Sequence, residues 1–366
     1  MTNYLYISLY LFSFLSLLIF LIIIIYHKMQ NLKKKKITEY QEKYYPIIDD
    51  YINKQVSLKK ATNMMKDDIN YELMVEFLKP LLKKYSGKKY EKLKILIQQA
   101  GINDYYLRKL NSNKQKEKLK AASIIGKLED ERALNKLKQM LESQENLVII
   151  TASWALSDIG NMESLDKIIN VLFNKTNMTY EAITELLVNF DEDICDKLLD
   201  FINNYLEDNT YFTTNFAVAE FKLLSLFIDI FGYFRYEQSL PVMKRLLKIN
   251  LHEEVIIHIF KSLVKIGEPI EIDFSNYLSH KNWVIRSQTA KYLSIIKINI
   301  FIDKLKELLS DDNWWVRYYA AKAIWELGHI DLLVDIIIKN KPGANICDYI
   351  LAQNNYNYVL GDKNDI

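Results

Sequence analysis

The first 36 residues run from unbroken apolarity into positive charge. Residues 4–26, YLYISLYLFSFLSLLIFLIIIIY, carry no charged side chain, and Lys28, Lys33, Lys34, Lys35 and Lys36 follow them. At a helical rise of about 1.5 Å per residue, such a run crosses a hydrocarbon core of about 30 Å. Tyr4, Tyr6 and Tyr26 fall at its two ends, where amphipathic rings prefer the membrane interface. A cleaved leader would show a basic start, a shorter apolar run and a small-residue cleavage site, none of which is written here. The pattern predicts one transmembrane helix with a basic juxtamembrane segment over residues 1–36. No lysine or arginine precedes the run and five lysines follow it. The N-terminus is therefore expected outside, and residues 27–366 in the cytoplasm, with those lysines at the membrane surface.

Beyond residue 36 the pattern changes to short amphipathic stretches. ALNKLKQMLES (133–143), LPVMKRLLKI (240–249) and IDKLKELLS (302–310) place apolar side chains at i, i+3, i+4 and i+7. A second, more apolar stretch follows each after a polar break, and the second stretches resemble one another. They include DNWWVRYYAAKAIWELGH (312–329), KNWVIRSQTAKYLSIIKI (281–298) and QENLVIITASWALSDIGN (144–161). In each, a pair (Val316-Arg317, Ile285-Arg286, Val148-Ile149) precedes a small residue (Ala320, Thr289, Ala152). An apolar residue comes seven positions later (Leu327, Ile296, Ile159), and then a turn. EKLKAASIIGKLED (117–130) fits the same frame. The turns are expected at Glu129, Gly160, Asp191, Gly232, Gly267, Lys297 and Gly328, spaced 31, 31, 41, 35, 30 and 31 residues apart. The unit is a helix A, a short turn and a helix B, stacked because one pair cannot bury both of its faces.

Composition agrees with this reading. Gly is 9 and Pro is 5 of 366 residues, too few to supply the turns of a sheet-rich fold. Half the chain is apolar and 13% is aromatic, which disfavours disorder. Cys195 and Cys347 cannot make a disulfide framework. Removing the five juxtamembrane lysines leaves 43 Lys and Arg against 46 Asp and Glu, a net charge of −3 for residues 37–366. That balance disfavours binding of nucleic acid, whose affinity rests on phosphate contacts.

The B-helix pattern, clearest over Asp312–Gly328, resembles the HEAT-repeat family. The resemblance implies an all-α fold, an α-solenoid of HEAT-like helix pairs behind an N-terminal transmembrane helix, similar to membrane-anchored bacterial HEAT-repeat proteins. On this frame residues 1–36 are the anchor and 37–102 a helical cap or degenerate repeats. Residues 103–329 hold about seven repeats, and 330–366 form a C-terminal cap and tail. Solenoids of this kind present the second helices along a concave binding surface.

Catalytic motifs are absent: there is no Gly-rich phosphate loop and no nucleophile elbow. The histidines, His27, His252, His258, His280 and His329, show no zinc-ligand spacing with cysteine, and neither metal nor cofactor is expected. His252-Glu253 is a single pair where HEAT-like hydroxylases use several. The candidate binding residues are Trp154, Arg286, Arg317, Tyr318, Lys322 and Trp325. Aromatic and arginine side chains off the buried stripe have the composition of interface hot spots. Arg286 and Arg317, 31 residues apart, also suit an inter-repeat ladder with Asp311 and Asp312. The expected function is a non-enzymatic scaffold holding a protein partner at the membrane. The resemblance points to an enzyme of envelope or exopolysaccharide synthesis as that partner. The alternative is an enzyme on a HEAT scaffold, a lyase or a DNA-glycosylase-like protein using Asp158 or Asp229.

Overall fold

The computed structural model describes residues 2–66, 69–216 and 218–356. Among them there is no β-strand. The chain divides into two compact units, residues up to Leu137 and residues from Lys138.

In the first unit, α1 (Thr2–Ile52) is followed by α2 (Leu58–Lys66), α3 (Tyr71–Lys84), α4 (Gly87–Gln99), α5 (Ile102–Leu110) and α6 (Gln115–Lys127). Helix α1 does not stop at residue 36. Residues 27–45 contain neither Gly nor Pro, and Lys, Glu and Gln propagate a helix well. The two parts of α1 lie in different surroundings. Leu11 to Tyr26 is exposed throughout, whereas Tyr44, Ile48, Tyr51 and Ile52 are buried as α1 packs on α2, α3 and α4. Two polar contacts pin this base. The backbone N–H of Asn70 donates to the Tyr40 hydroxyl (2.9 Å), and Lys92 Nζ donates to the Ile52 carbonyl (2.6 Å). The latter puts a cation at the helix C-terminus, where the dipole favours it. Between repeats, Arg132 bridges Asp104 (2.8 Å) and Asp130 (2.7 Å). Burial works against the Asp130 charge, but Arg132 and the Asn103 amide outweigh it and hold the carboxyl below its usual range.

Helix α7 (Leu134–Met140) leads into the second unit. There follow α8 (Asn146–Asp158), α9 (Leu165–Lys175), α10 (Tyr180–Val188), α11 (Ile194–Glu207), α12 (Tyr211–Phe216) and α13 (Glu220–Phe234). Then come α14 (Leu240–Leu246), α15 (Glu253–Ile266), α16 (Ser275–Leu278), α17 (Trp283–Ile296), α18 (Ile302–Leu308) and α19 (Trp314–Glu326). Helices α20 (Ile330–Ile338) and α21 (Ala344–Gln353) end the described chain. The B helices α8, α10, α13, α15, α17, α19 and α21 pack each on the next. The A helices α11 and α14, and α16 and α18, pair on the other side. The unit is an all-α solenoid of stacked helix pairs. In the stretch expected as a C-terminal cap and tail, of which residues 357–366 lie outside the described residues, α20 and α21 form a last helix pair that buries Leu333, Ile336, Ile346, Cys347, Ile350 and Leu351.

The chain reverses after each B helix through one residue of positive φ: Glu129, Gly160, Asp191, Arg235, Gly267, Lys297 and Gly328. Six of these are the expected turn positions. Most close in the same way, with the N–H of the residue after the turn position reaching back five residues. Examples are Asp130 to Ile125 (3.3 Å), Asn161 to Leu156 (3.0 Å) and His329 to Ile324 (3.1 Å). These bonds satisfy carbonyls that the helix end leaves free. They recur where the turn residue is Glu129 or Arg235, so the closure does not depend on glycine.

The expected turn at Gly232 is corrected. Gly232 lies inside α13 and is buried, and the reversal occurs three residues later at Arg235. Gly232 is required by packing. A Cβ there would stand 2.5 Å from Ser262 Oγ and 2.9 Å from Ser262 Cα, on the neighbouring helix α15. The Ser262 hydroxyl in turn donates to the Ile228 carbonyl (2.7 Å). Gly343 is needed for a similar reason, since a Cβ would clash with the Leu309 carbonyl oxygen.

Gly232→Ala is expected to destabilise the protein by roughly 1–3 kcal/mol, the usual range for overpacking, because a backbone atom of α15 must move. Chemical denaturation checks it. In α19, Val316, Ala320 and Ile324 are fully buried and Leu327 half-buried. Lys322 is half-buried. It stands near Lys291, whose pKa is lowered by burial and by the Lys322 charge. Ala320→Glu is therefore expected to cost several kcal/mol, an unpaired charge in the core. Lys322→Glu, which replaces a repulsion by an attraction, is expected to stay within about 0.5 kcal/mol of the parent. Parallel melting curves separate the two.

Candidate protein-binding surface

Asn282 and Asn313 begin α17 and α19 in the same way. Each side-chain oxygen accepts the N–H two residues on, from Val284 and Trp315, both at 2.9 Å. This cap starts the helix one turn before its first buried residue, so the leading side chains stand in solvent. Trp314 is 41% exposed and Trp315 is 49% exposed. Trp314 stacks on Tyr318 (5.2 Å between centroids) and meets Trp315 edge-on (4.8 Å). Tyr349 of α21 closes on Trp314 (6.4 Å) and Tyr318 (6.3 Å). Tyr319 lies against Trp315 (6.1 Å), with the Lys291 ammonium 5.3 Å from its ring centre. Burial and the neighbouring Tyr318 raise the Tyr319 phenol. The result is a continuous aromatic surface at the start of the last B helices.

Of the residues named from sequence, Tyr318 is part of this surface. Lys322 follows it on the same face of α19, four residues on. Trp325 is at the far end of the helix, half-buried, and its ring meets Tyr356 edge-on at 5.7 Å. Trp154 lies on α8, half-buried, and takes no part. Arg286 is a structural element. Its Nε and Nη2 clasp both oxygens of Asp311 (2.7 and 2.8 Å), and Nη1 reaches the carbonyls of His280 (2.7 Å) and Lys281 (3.0 Å). Arg317 repeats the carbonyl contacts, to Asp311 (2.6 Å) and Asp312 (3.0 Å), with no carboxylate partner among the described residues. The position equivalent to Asp311, one repeat on, is Pro342. Lys28, Lys33, Lys34, Lys35 and Lys36 are exposed along α1. At 100° per residue they surround the helix rather than form a stripe.

Trp314, Trp315 and Tyr349 were missed by sequence reasoning. The first two directly follow the capping Asn313, and that signal could have found them. Tyr349 lies in the stretch read as a cap.

A second grouping, also missed as a set, sits on α10, α13 and α15. Asp229 accepts from Tyr180 Oη (3.0 Å) and pairs with His258 Nδ1 (2.7 Å). His258 Nε2 faces Glu254 Oε2 at 3.7 Å. Burial, and then the Asp229 charge, push the Tyr180 phenol far up. No three or more His, Cys, Asp or Glu side chains among the described residues are grouped to hold a metal ion.

A HEAT repeat family model matches residues 301–330, which span α18, α19 and the turn after them. The chain carries a HEAT repeat there, under the exposed aromatic surface. No curated protein matches the chain. An engineered protein of known crystal structure aligns at 15% identity, over 81% of this chain and 88% of its own, with a TM-score of 0.35. That superposition is too poor to bear on function.

Trp325→Ala is expected to lower stability by about 1–2 kcal/mol, through loss of the ring pair and of half-buried apolar area. Trp315→Ala, at a site half open to solvent, is expected to lower the melting temperature less than Trp325→Ala does. Thermal unfolding of the two variants side by side checks this.

Proposed function

We propose that this protein is a single-pass, membrane-tethered scaffold that holds a protein partner on its HEAT-like solenoid without catalysing a reaction. The observation that carries the reading is the aromatic surface of Trp314, Trp315, Tyr318 and Tyr349. Aromatic side chains clustered in solvent are the usual centres of protein interfaces. Tyr318, Lys322 and Trp325 share that face of α19, while Arg317 offers a further cation beside it. Arg286 and Trp154 are the weaker candidates, the first because its fork is already bound to Asp311.

The tether rests on α1. Its run Leu11–Tyr26 is apolar and exposed, and one apolar window of α1 is long enough to cross a bilayer. The lysines that follow support an N-terminus outside and residues 27–366 in the cytoplasm. Confinement to the membrane plane raises the effective concentration of a membrane-bound partner. An enzyme of envelope or exopolysaccharide synthesis is the partner class that the family resemblance suggests.

The enzymatic reading, a lyase or DNA-glycosylase-like activity, has one observation in its favour, the Tyr180–Asp229–His258 grouping. Both Asp229 oxygens there already have protein partners, which supports a fixed anion more than a reacting one.

With the full chain in its native membrane, crosslinking and affinity recovery are expected to give a partner. Trp314→Ala together with Trp315→Ala should reduce its recovery at least about ten-fold, as loss of a hot spot does, while the helical circular dichroism is retained at the assay temperature. Recovery equal to the parent's removes this surface as the binding site. External protease on intact spheroplasts is expected to leave residues 27–366 uncut.

A further inference from the structure

The B helices α10, α13 and α15 line an open cleft of about 440 Å³, bounded by Tyr180, Glu181, Phe221, Ser225, Asp229, Glu254 and His258, with Lys222 also on its wall. A volume of that order takes one large side chain or a small ligand. Three carboxylates face one lysine. Both His258 nitrogens face carboxylates, Nδ1 toward Asp229 and Nε2 toward Glu254. Each Asp229 oxygen has one donor from the protein, and a carboxylate oxygen can accept more than one. Glu254 is more than half exposed and lies beyond hydrogen-bond reach of the imidazole.

One observation shows that the grouping is not closed on itself. Ser225, one turn before Asp229 on α13, is 4% exposed, and its hydroxyl has no hydrogen-bond partner. A buried, unpaired hydroxyl on the wall of a cleft is costly unless something completes it. The walls also include flat rings. Phe221 is held in place by stacking on His252 at 4.6 Å, and Tyr180 by its bond to Asp229.

We propose that this cleft binds a guanidinium group, from an arginine side chain of a polypeptide or from a free guanidino compound. The cleft has a surplus of acceptors and negative charge, and aromatic faces beside them. A guanidinium brings five donors, a fixed positive charge and a flat face that stacks on rings. Its planar fork suits the Glu254 and Asp229 carboxylates. An ammonium group meets the charge but not the fork or the stacking.

The test uses the full chain in uncharged detergent micelles and a fluorescein-labelled peptide, acetyl-Gly-Gly-Arg-Gly-Gly-amide, followed by anisotropy. Saturable binding is expected. The citrulline peptide, neutral and of the same shape, should bind at least about ten-fold more weakly, as loss of a charge-assisted hydrogen bond requires. The lysine peptide should fall between the two. Glu254→Gln, at a half-exposed site outside the core, should weaken the arginine peptide about ten-fold while the melting curve is unchanged. Asp229→Asn should do the same or more. Competition by agmatine equal to that of unlabelled arginine peptide assigns the site to free guanidino compounds. Competition by the peptide alone assigns it to a polypeptide. No saturable binding overturns the proposal. So does equal binding of the citrulline or lysine peptide, or a Glu254→Gln variant that binds as the parent does.

Discussion

A helix pair of this length has apolar side chains on two faces, and no pair can cover both by folding on itself. Each B helix from α10 to α19 is therefore buried by the B helix before it and the one after it. That requirement governs side-chain size. Alanines at 152, 155, 290, 320, 321 and 323 are fully buried, because small side chains let neighbouring helices approach. One close approach lies between α13 and α15, where Gly232 meets the backbone of Ser262. Interiors packed this densely do not absorb an added methyl group without a shift.

The same requirement dictates the connections. A chain that leaves one B helix must turn at once into the next A helix, and a single residue of positive φ does this most compactly. Three of the seven turns use glycine, and Glu129, Asp191, Arg235 and Lys297 adopt the left-handed conformation at the others. Non-glycine residues there carry a strain of about 1 kcal/mol. Hydrogen bonds back to the helix end and the stacking on both sides outweigh it. Between repeats, charged pairs such as Arg286–Asp311 join the start of one B helix to the turn that leads into the next B helix. In that pair both side chains are largely buried and every contact is hydrogen-bonded, the condition under which a buried ion pair is tolerated.

Function then falls to what the stacking leaves uncovered. On α19 the capping Asn313 exposes two tryptophans before the buried stripe begins. On α10, α13 and α15 the B helices leave a cleft lined by carboxylates and rings. On α1 a long apolar face meets no other part of the described chain. These three features differ in chemistry, and each suits a different surrounding: a protein surface, a cationic group and a lipid core.

The helical class, the period near 31 residues, the buried stripe of α19 and the apolar start of α1 were all legible in the sequence. They depend on local periodicity and on charge, which one chain carries by itself. Six turn residues were legible for the same reason, since a helix end leaves a local mark. Gly232 was misread because a glycine needed for close approach and one needed for positive φ look alike until the neighbouring helix is placed. The expected boundary at residue 36 followed a change of composition, while helical propensity continues across it and packing begins only near Tyr44. Trp314 and Trp315 were visible beside Asn313, but their union with Tyr349 needed α21 in place. The grouping of Tyr180, Asp229 and His258 draws on residues 49 and 29 positions apart. No local pattern joins them. Only the stacking of three successive repeats brings those side chains to one cleft.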